Sequence, residues 1–246
     1  MKSNQGAILL TVFAIMGAVY SAPSVDANRY LPIFRFDGSQ RDFCYPDFPS
    51  SQNDNKCVNS LNQNAPVFYE VDTCDGQTVY TYWLWYGWQR PCIGVFDDGH
   101  GNDWEHISVY INPSNGQVSK VIFYQHKGFY TRRRGTFELE GDRPIVYIGK
   151  VAHGSYHTRC DGTCSFTEFF TQGCLGSVNY CQGGCGYWDD FRNPGPELRN
   201  GRLQPLNPGQ VIDGIERPDR EVCGIGSCKG ASTRDLNTAG CWQNEP

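Results

Sequence analysis

Three side chains close together in the chain have the chemistry to hold a divalent cation. They are His100, Asp103 and Glu105, in the stretch Gly99-His100-Gly101-Asn102-Asp103-Trp104-Glu105-His106. In an extended segment alternate side chains share a face. Asp103 and Glu105 then point one way, and Trp104 and His106 the other. Two carboxylates on one face repel each other unless a positive charge lies between them, and a divalent cation supplies one. His100, in the preceding turn, can reach the same point, because Gly99 and Gly101 let the backbone bend tightly. Carboxylate and imidazole donors together suit Ca²⁺, Mg²⁺ or Mn²⁺ with added water, or Zn²⁺. On spacing alone the same residues also read as an exposed Asp-x-Glu at a strand start, with Trp104 in a core.

The other residues with chemical potential point less sharply. The five histidines, His100, His106, His126, His153 and His157, all fall in one stretch of the chain. His153 and His157 can add ligands, but their i, i+4 spacing fits no strand face. Tyr82, Trp83, Trp85, Tyr86 and Trp88 either line a sugar- or lipid-binding surface or divide between a core and the outside. Arg132-Arg133-Arg134 reads as the solvated tip of a loop between strands, with contact to anionic lipid or sulfated glycan as the alternative. Ser155 does not sit in a G-x-S-x-G elbow. No catalytic constellation is present apart from the cation itself, with Glu105 or a histidine as general base.

The elements that must position these residues read as strands. Pro66 to Asp72 and Gln77 to Tyr86 are β-branched and aromatic, with Asp75-Gly76 as the turn between them. Trp104 to Asn112 alternates, with Ile107, Val109 and Ile111 on one face. Pro113-Ser114-Asn115-Gly116 is turn chemistry, and Gln117 to His126 returns as the next strand. Thr136 to Leu139 and Pro144 to Val151 supply two more. No segment carries a sustained helical period. The pattern predicts a mainly β chain, an antiparallel β-sandwich with long disulfide-tied loops. Its predicted parts are a loop-rich N-terminal segment at 22–65, a sandwich core at 66–190, and an irregular cysteine-tied segment at 191–246.

Residues 1–21 read as a signal peptide: Lys2, then the apolar run Ala7 to Tyr20, then small residues Val19 and Ser21 before the cleavage point. No later stretch approaches the ~20 apolar residues of a membrane-spanning helix. Twelve cysteines, all after the cleavage point, fit a secreted, extracellular protein with up to six disulfides. No C-x-x-C pair occurs, which disfavours structural zinc. The formal net charge is −5, so the chain lacks the basic surface of nucleic-acid-binding proteins.

Gly99-His100-x-x-Asp103-Trp104-Glu105 resembles the G-H-R-H-D-W-E heptapeptide of the necrosis- and ethylene-inducing-peptide-like proteins, and Tyr82-Trp83-Leu84-Trp85-Tyr86 resembles their Tyr/Trp-rich strand. Asp103-Trp104-Glu105-His106 also resembles the G-D-W-E-H segment of the vacuolar protein sorting-associated protein sixty-two family. Arg143 to Tyr147 and Ala152 to His157 are similar to that family's P-x-V-Y and G-S-H-A-x-Y regions. Together the matches span about residues 80–157. The first resemblance implies a β-sandwich that holds a divalent cation through His100, Asp103 and Glu105 and binds sphingolipid head groups at membranes. This chain departs from that pattern in three places. Gly101-Asn102 replaces the motif's Arg-His. Cys92 stands where a further Asp is expected, with Asp97 and Asp98 nearby. The twelve-cysteine framework is its own.

These observations predict a secreted, disulfide-rich β-sandwich with a divalent-cation site that binds an extracellular glycan, a glycolipid head group or another extracellular partner. The alternatives are a structural protein of an extracellular matrix or mineralised layer and, behind it, a metal-dependent hydrolase.

Overall fold

The computed structural model describes residues 26–38, 44–90, 99–125, 128–150, 153–158, 194–218 and 234–235. Residues 1–21, which read as a signal peptide, and Cys92, Asp97, Asp98, His126 and every cysteine from Cys160 onward lie outside these residues. A four-residue helix α1 (Asp26–Arg29) leads into β1 (Ile33–Asp37). An antiparallel meander follows: β2 (Pro66–Cys74), β3 (Gln77–Gln89), β4 (His100–Asn112), β5 (Gln117–Gln125) and β6 (Gly128–Arg133). The chain continues through β7 (Leu139–Glu140), β8 (Arg143–Ile148), β9 (Ser155–Tyr156), β10 (Pro194–Leu198), β11 (Arg202–Pro205), β12 (Val211–Ile212), β13 (Ile215–Glu216) and β14 (Arg234–Asp235).

These strands build a mainly β sandwich. A seven-stranded sheet, ordered β11-β2-β3-β4-β5-β6-β14, faces a sheet ordered β10-β1-β8-β7 with β9 on β8. The core between them follows from strand alternation. Tyr80, Tyr82, Leu84 and Tyr86 of β3 and Ile107, Val109 and Ile111 of β4 pack against Ile33, Phe34 and Phe36 of β1 and Val146 and Ile148 of β8. Full burial of each large apolar side chain contributes about 1.5–3 kcal/mol. The buried Tyr82 hydroxyl donates to the Ala27 carbonyl at 2.7 Å, and burial pushes its phenol pKa well above the ordinary value.

Both hairpins stand where their turns placed them. Cys74 pairs with Gln77 across Asp75-Gly76, and Asn112 with Gln117 across the Pro113–Gly116 turn. The sheets are mixed rather than purely antiparallel: β1–β8, β11–β2 and β14–β6 are parallel pairs. Two strands of the second sheet, β1 and β10, lie outside the 66–190 stretch that reads as the sandwich core. β1 slots between β8 and β10, so part of the core comes from the segment that reads as loop-rich. Cys44 and Cys57 form a disulfide, and Cys74, buried at the end of β2, is also disulfide-bonded.

The outer face of the large sheet is not an open aromatic surface. Trp83 and Trp85 are fully buried, in a cluster with Phe68 and Trp104. Leu206 and Ile215, from the segment around β12 and β13, cover them. Glu70 anchors that cover: it accepts from Trp83 Nε1 at 2.9 Å and pairs with Arg217, whose guanidinium lies 5.3 Å over the Trp83 ring. Among the described residues no helix is long and apolar enough to cross a membrane.

Candidate functional site

β4 pairs with β3 along its whole length, so Asp103 sits opposite Tyr86 and Glu105 opposite Leu84. Tyr86 and Leu84 belong to the inner core, and Ile107 and Val109 continue that face beyond Glu105. Asp103 and Glu105 therefore enter the sandwich on its inner face. They are only 4% and 6% exposed. The exposed Asp-x-Glu reading fails on this point, while the shared face read from the alternation holds.

A buried carboxylate needs a partner. For Asp103 one comes from far along the chain: His153 Nδ1 lies 2.8 Å from Asp103 Oδ2, and both side chains are buried. An ionised carboxylate only accepts, so Nδ1 carries the proton and donates. Tyr86 stacks flat on the His153 ring, with centroids 3.9 Å apart and planes 4° apart, and fixes its orientation. His153 itself has a left-handed backbone, φ 57°, and Asn102, immediately before Asp103, has φ 51°. Both ends of this contact emerge from conformations that non-glycine residues rarely adopt.

The disulfide-closed loop lies beneath the start of β4. Asp47 N donates to the Trp85 carbonyl at 3.0 Å and Asn55 N to the Gly87 carbonyl at 2.7 Å. Two glycines stand at this approach, and only Gly87 faces fixed backbone. A Cβ on Gly87 would collide with the carbonyl oxygens of Asn53 and Lys56, and one on Gly101 with the side-chain oxygens of Asp54 and Asn55.

The other candidates have distinct places. His100 is exposed at the start of β4, with Nδ1 3.0 Å from the Gly101 carbonyl oxygen. His106 lies on the outer face, stacked between Trp83 at 4.1 Å and Tyr124 at 3.9 Å. His157 meets the Tyr130 hydroxyl through Nδ1 at 3.1 Å and Arg132 Nε through Nε2 at 3.4 Å. Arginine only donates, so Nε2 accepts and Nδ1 carries the proton. Arg132 is thus a buried member of β6 rather than part of a loop tip, whereas Arg133 and Arg134 are exposed.

By residue type Asp103 and Glu105 suit a hard divalent cation: they are two buried carboxylates on one face of β4, with the His153 imidazole beside Asp103. Among the described residues no three His, Cys, Asp or Glu side chains are grouped to hold a metal ion. Asp103 and Glu105 alone are two donors, fewer than the roughly six to eight oxygens of a calcium shell. The sequence named His153 but could not place it, because its spacing belongs to a loop. The left-handed backbone of Asn102, inside β4 directly after Gly101, was marked in the sequence only by the residue type, since Asn adopts that region more readily than other non-glycine residues.

No family model and no curated protein matches the chain. Among solved structures the chain is similar to Necrosis and Ethylene inducing Protein 2 from the causal agent of cocoa's witches' broom disease. Identity is 15% over 56% of this chain and 69% of that one, with a TM-score of 0.42. It is similar to NLPPya in complex with glucosamine at 19% identity, over 54% of this chain and 66% of that one, with a TM-score of 0.39. The non-toxic HaNLP3 protein follows at 13% identity, over 53% and 66%, with a TM-score of 0.40. Likeness at this level assigns neither family nor function.

Proposed function

We propose that this chain is a secreted, extracellular binding protein that holds a divalent cation at Asp103 and Glu105 and uses it to engage a glycan or glycolipid head group. The observation that carries the reading is the burial of two carboxylates on one inward face of β4, where like charges gain from a shared counter-ion. The heptapeptide resemblance supports it, with His100 as the further ligand that the resemblance implies. The cation would be Ca²⁺, Mg²⁺ or Mn²⁺, with Zn²⁺ accessible to the imidazoles. When bound it would supply a fixed positive charge for sugar or phosphate oxygens. The chain's own residues orient it: Asp103 is steered by His153, His153 is held by Tyr86, and the disulfide-closed loop supports the strand start.

The cysteine framework and the apolar N-terminal run support export. A secreted, disulfide-rich protein is the setting in which the Cys44–Cys57 bridge persists. The test is a binding screen of the purified full chain against immobilised glycans, glucosamine and mannosamine, and liposomes with and without glycosylated sphingolipid, each with and without chelator. Chelator-sensitive binding to a glycan or glycolipid is the expected result. A protein that takes up cation but binds none of these fits the structural alternative of a matrix component.

A further inference from the structure

Asn102 performs two tasks at once. Its backbone is left-handed, φ 51°, one residue before Asp103. Its side-chain oxygen accepts from two indoles: Trp85 Nε1 at 2.9 Å and Trp104 Nε1 at 3.0 Å. Trp85 and Trp104 are cross-strand partners on the outer face of the large sheet, packed with Phe68 and Trp83. Two donors saturate the lone pairs of one amide oxygen. Asn102 is nevertheless exposed, so it is not held there by apolar burial. A left-handed non-glycine residue persists only when its surroundings over-determine it, and the two indoles do so. Gly101 beside it carries no side chain, which lets Asp54 and Asn55 press on the same point.

We propose that Asn102 is the positioning residue of the candidate site: latched to Trp85 and Trp104 on the outer face, its kink aims Asp103 at His153 on the inner face. Asn suits both demands, since it tolerates the left-handed region and brings an acceptor. The link to cation binding rests on the reading of Asp103 and Glu105 given above, whereas the link to His153 does not.

Three variants separate the tasks. Asn102→Asp keeps the acceptor and tolerates the kink, Asn102→Gly keeps only the kink, and Asn102→Ala keeps neither. Two readouts are taken on the full chain: ¹⁵N signals of the Trp85 and Trp104 indoles and the His153 ring by NMR, and calorimetric titration with Ca²⁺, Mg²⁺, Mn²⁺ and Zn²⁺. In Asn102→Ala the indole and His153 signals shift and cation affinity falls by about tenfold or more. Asn102→Gly falls between, and Asn102→Asp restores the His153 signals and most of the affinity. Should Asn102→Ala fail to fold, Asn102→Gly carries the same comparison. Unchanged His153 signals in Asn102→Ala or Asn102→Gly, whatever the melting temperature does, overturn the proposal. Shifted His153 signals in a protein whose wild type takes up no cation overturn the cation reading and leave Asn102 as the residue that positions Asp103.

Discussion

Asp103 is the residue on which the account turns, because its carboxylate is buried and its partner His153 arrives from another strand connection. Removing that partner leaves a buried charge uncompensated, which typically costs about 3–5 kcal/mol. His153→Ala is therefore expected to lower the urea midpoint sharply. Asp103→Asn keeps an acceptor for Nδ1 and lowers it far less. The same Asp103→Asn, and Glu105→Gln, should abolish any stabilisation by cation. That stabilisation follows RT ln(1 + [L]/Kd), about 2.7 kcal/mol at a hundredfold excess over Kd, and is read as a chelator-sensitive melting temperature. At this scale the sequence revealed which face Asp103 and Glu105 share, because period-2 alternation through Ile107, Val109 and Ile111 fixes it. It did not reveal that the face is buried at that point. Nor did it reveal that His153 closes on Asp103, since a loop residue has no periodicity to read.

Elements show the same division. β2 through β5 were legible because their apolar alternation is interrupted by Asp75-Gly76 and Pro113 to Gly116, turn residues with a defined role. β1 and β10 were not legible: each has five residues, and Arg35 or Pro194, Gly195 and Pro196 interrupt any apolar run. Beyond the antiparallel ladder and the Phe34–Leu198 core pair, a partly exposed charge network ties β1, β10 and β7 on the outer face of the small sheet. Arg35 Nε donates to Glu197 at 2.7 Å, Arg199 Nε to Glu197 at 2.6 Å, and Arg199 Nη1 to Glu140 at 2.7 Å. Burial works to raise the Glu197 carboxyl, but hydrogen bonds from Arg199 and Arg35 outweigh it and hold the carboxyl below the usual range. A carboxyl depressed in the folded state contributes stability above its unfolded pKa and loses it as pH falls through the folded value. Stability should therefore decline below about pH 4.5, and Arg35→Gln should flatten that decline while leaving its shape above pH 5 unchanged. Equilibrium unfolding across the acid range measures this. A second test at this scale concerns the loop against β3 and β4. Gly87→Ala, which meets fixed carbonyl oxygens, should displace it and raise proteolytic cleavage within 50–57, and Gly101→Ala, which meets side-chain oxygens, should do so less. Gly76→Ala, whose Cβ meets nothing within 4 Å, serves as a control for strain in a left-handed turn alone.

For the whole molecule, the class of fold was readable and its closure was not. Turn spacing and β-branched strands announce a sandwich. The parallel additions of β1 to β8 and of β11 to β2 join segments far apart in the sequence, Ile33 with Ile145 and Arg202 with Pro66, which no local window contains. The C-terminal cover over Trp83 and Trp85 was hidden for the same reason, since Leu206, Ile215 and Arg217 sit in a segment rich in Pro, Gly and charge. Covalent closure should matter accordingly. Removal of the Cys44–Cys57 bridge, with its separation of 13 residues, is expected to cost about 3 kcal/mol by loop entropy, and mass spectrometry of the unreduced protein should find no free thiol among its twelve cysteines. The most direct measurement of the proposed cation site is calorimetric titration of the purified, chelator-stripped protein with Ca²⁺, Mg²⁺, Mn²⁺ and Zn²⁺, beside the double variant Asp103→Asn/Glu105→Gln. Saturable binding of one cation per chain by the wild type, lost in the double variant with the fold intact, is the predicted result. Absence of binding by the wild type, or binding that survives in the double variant, would contradict it.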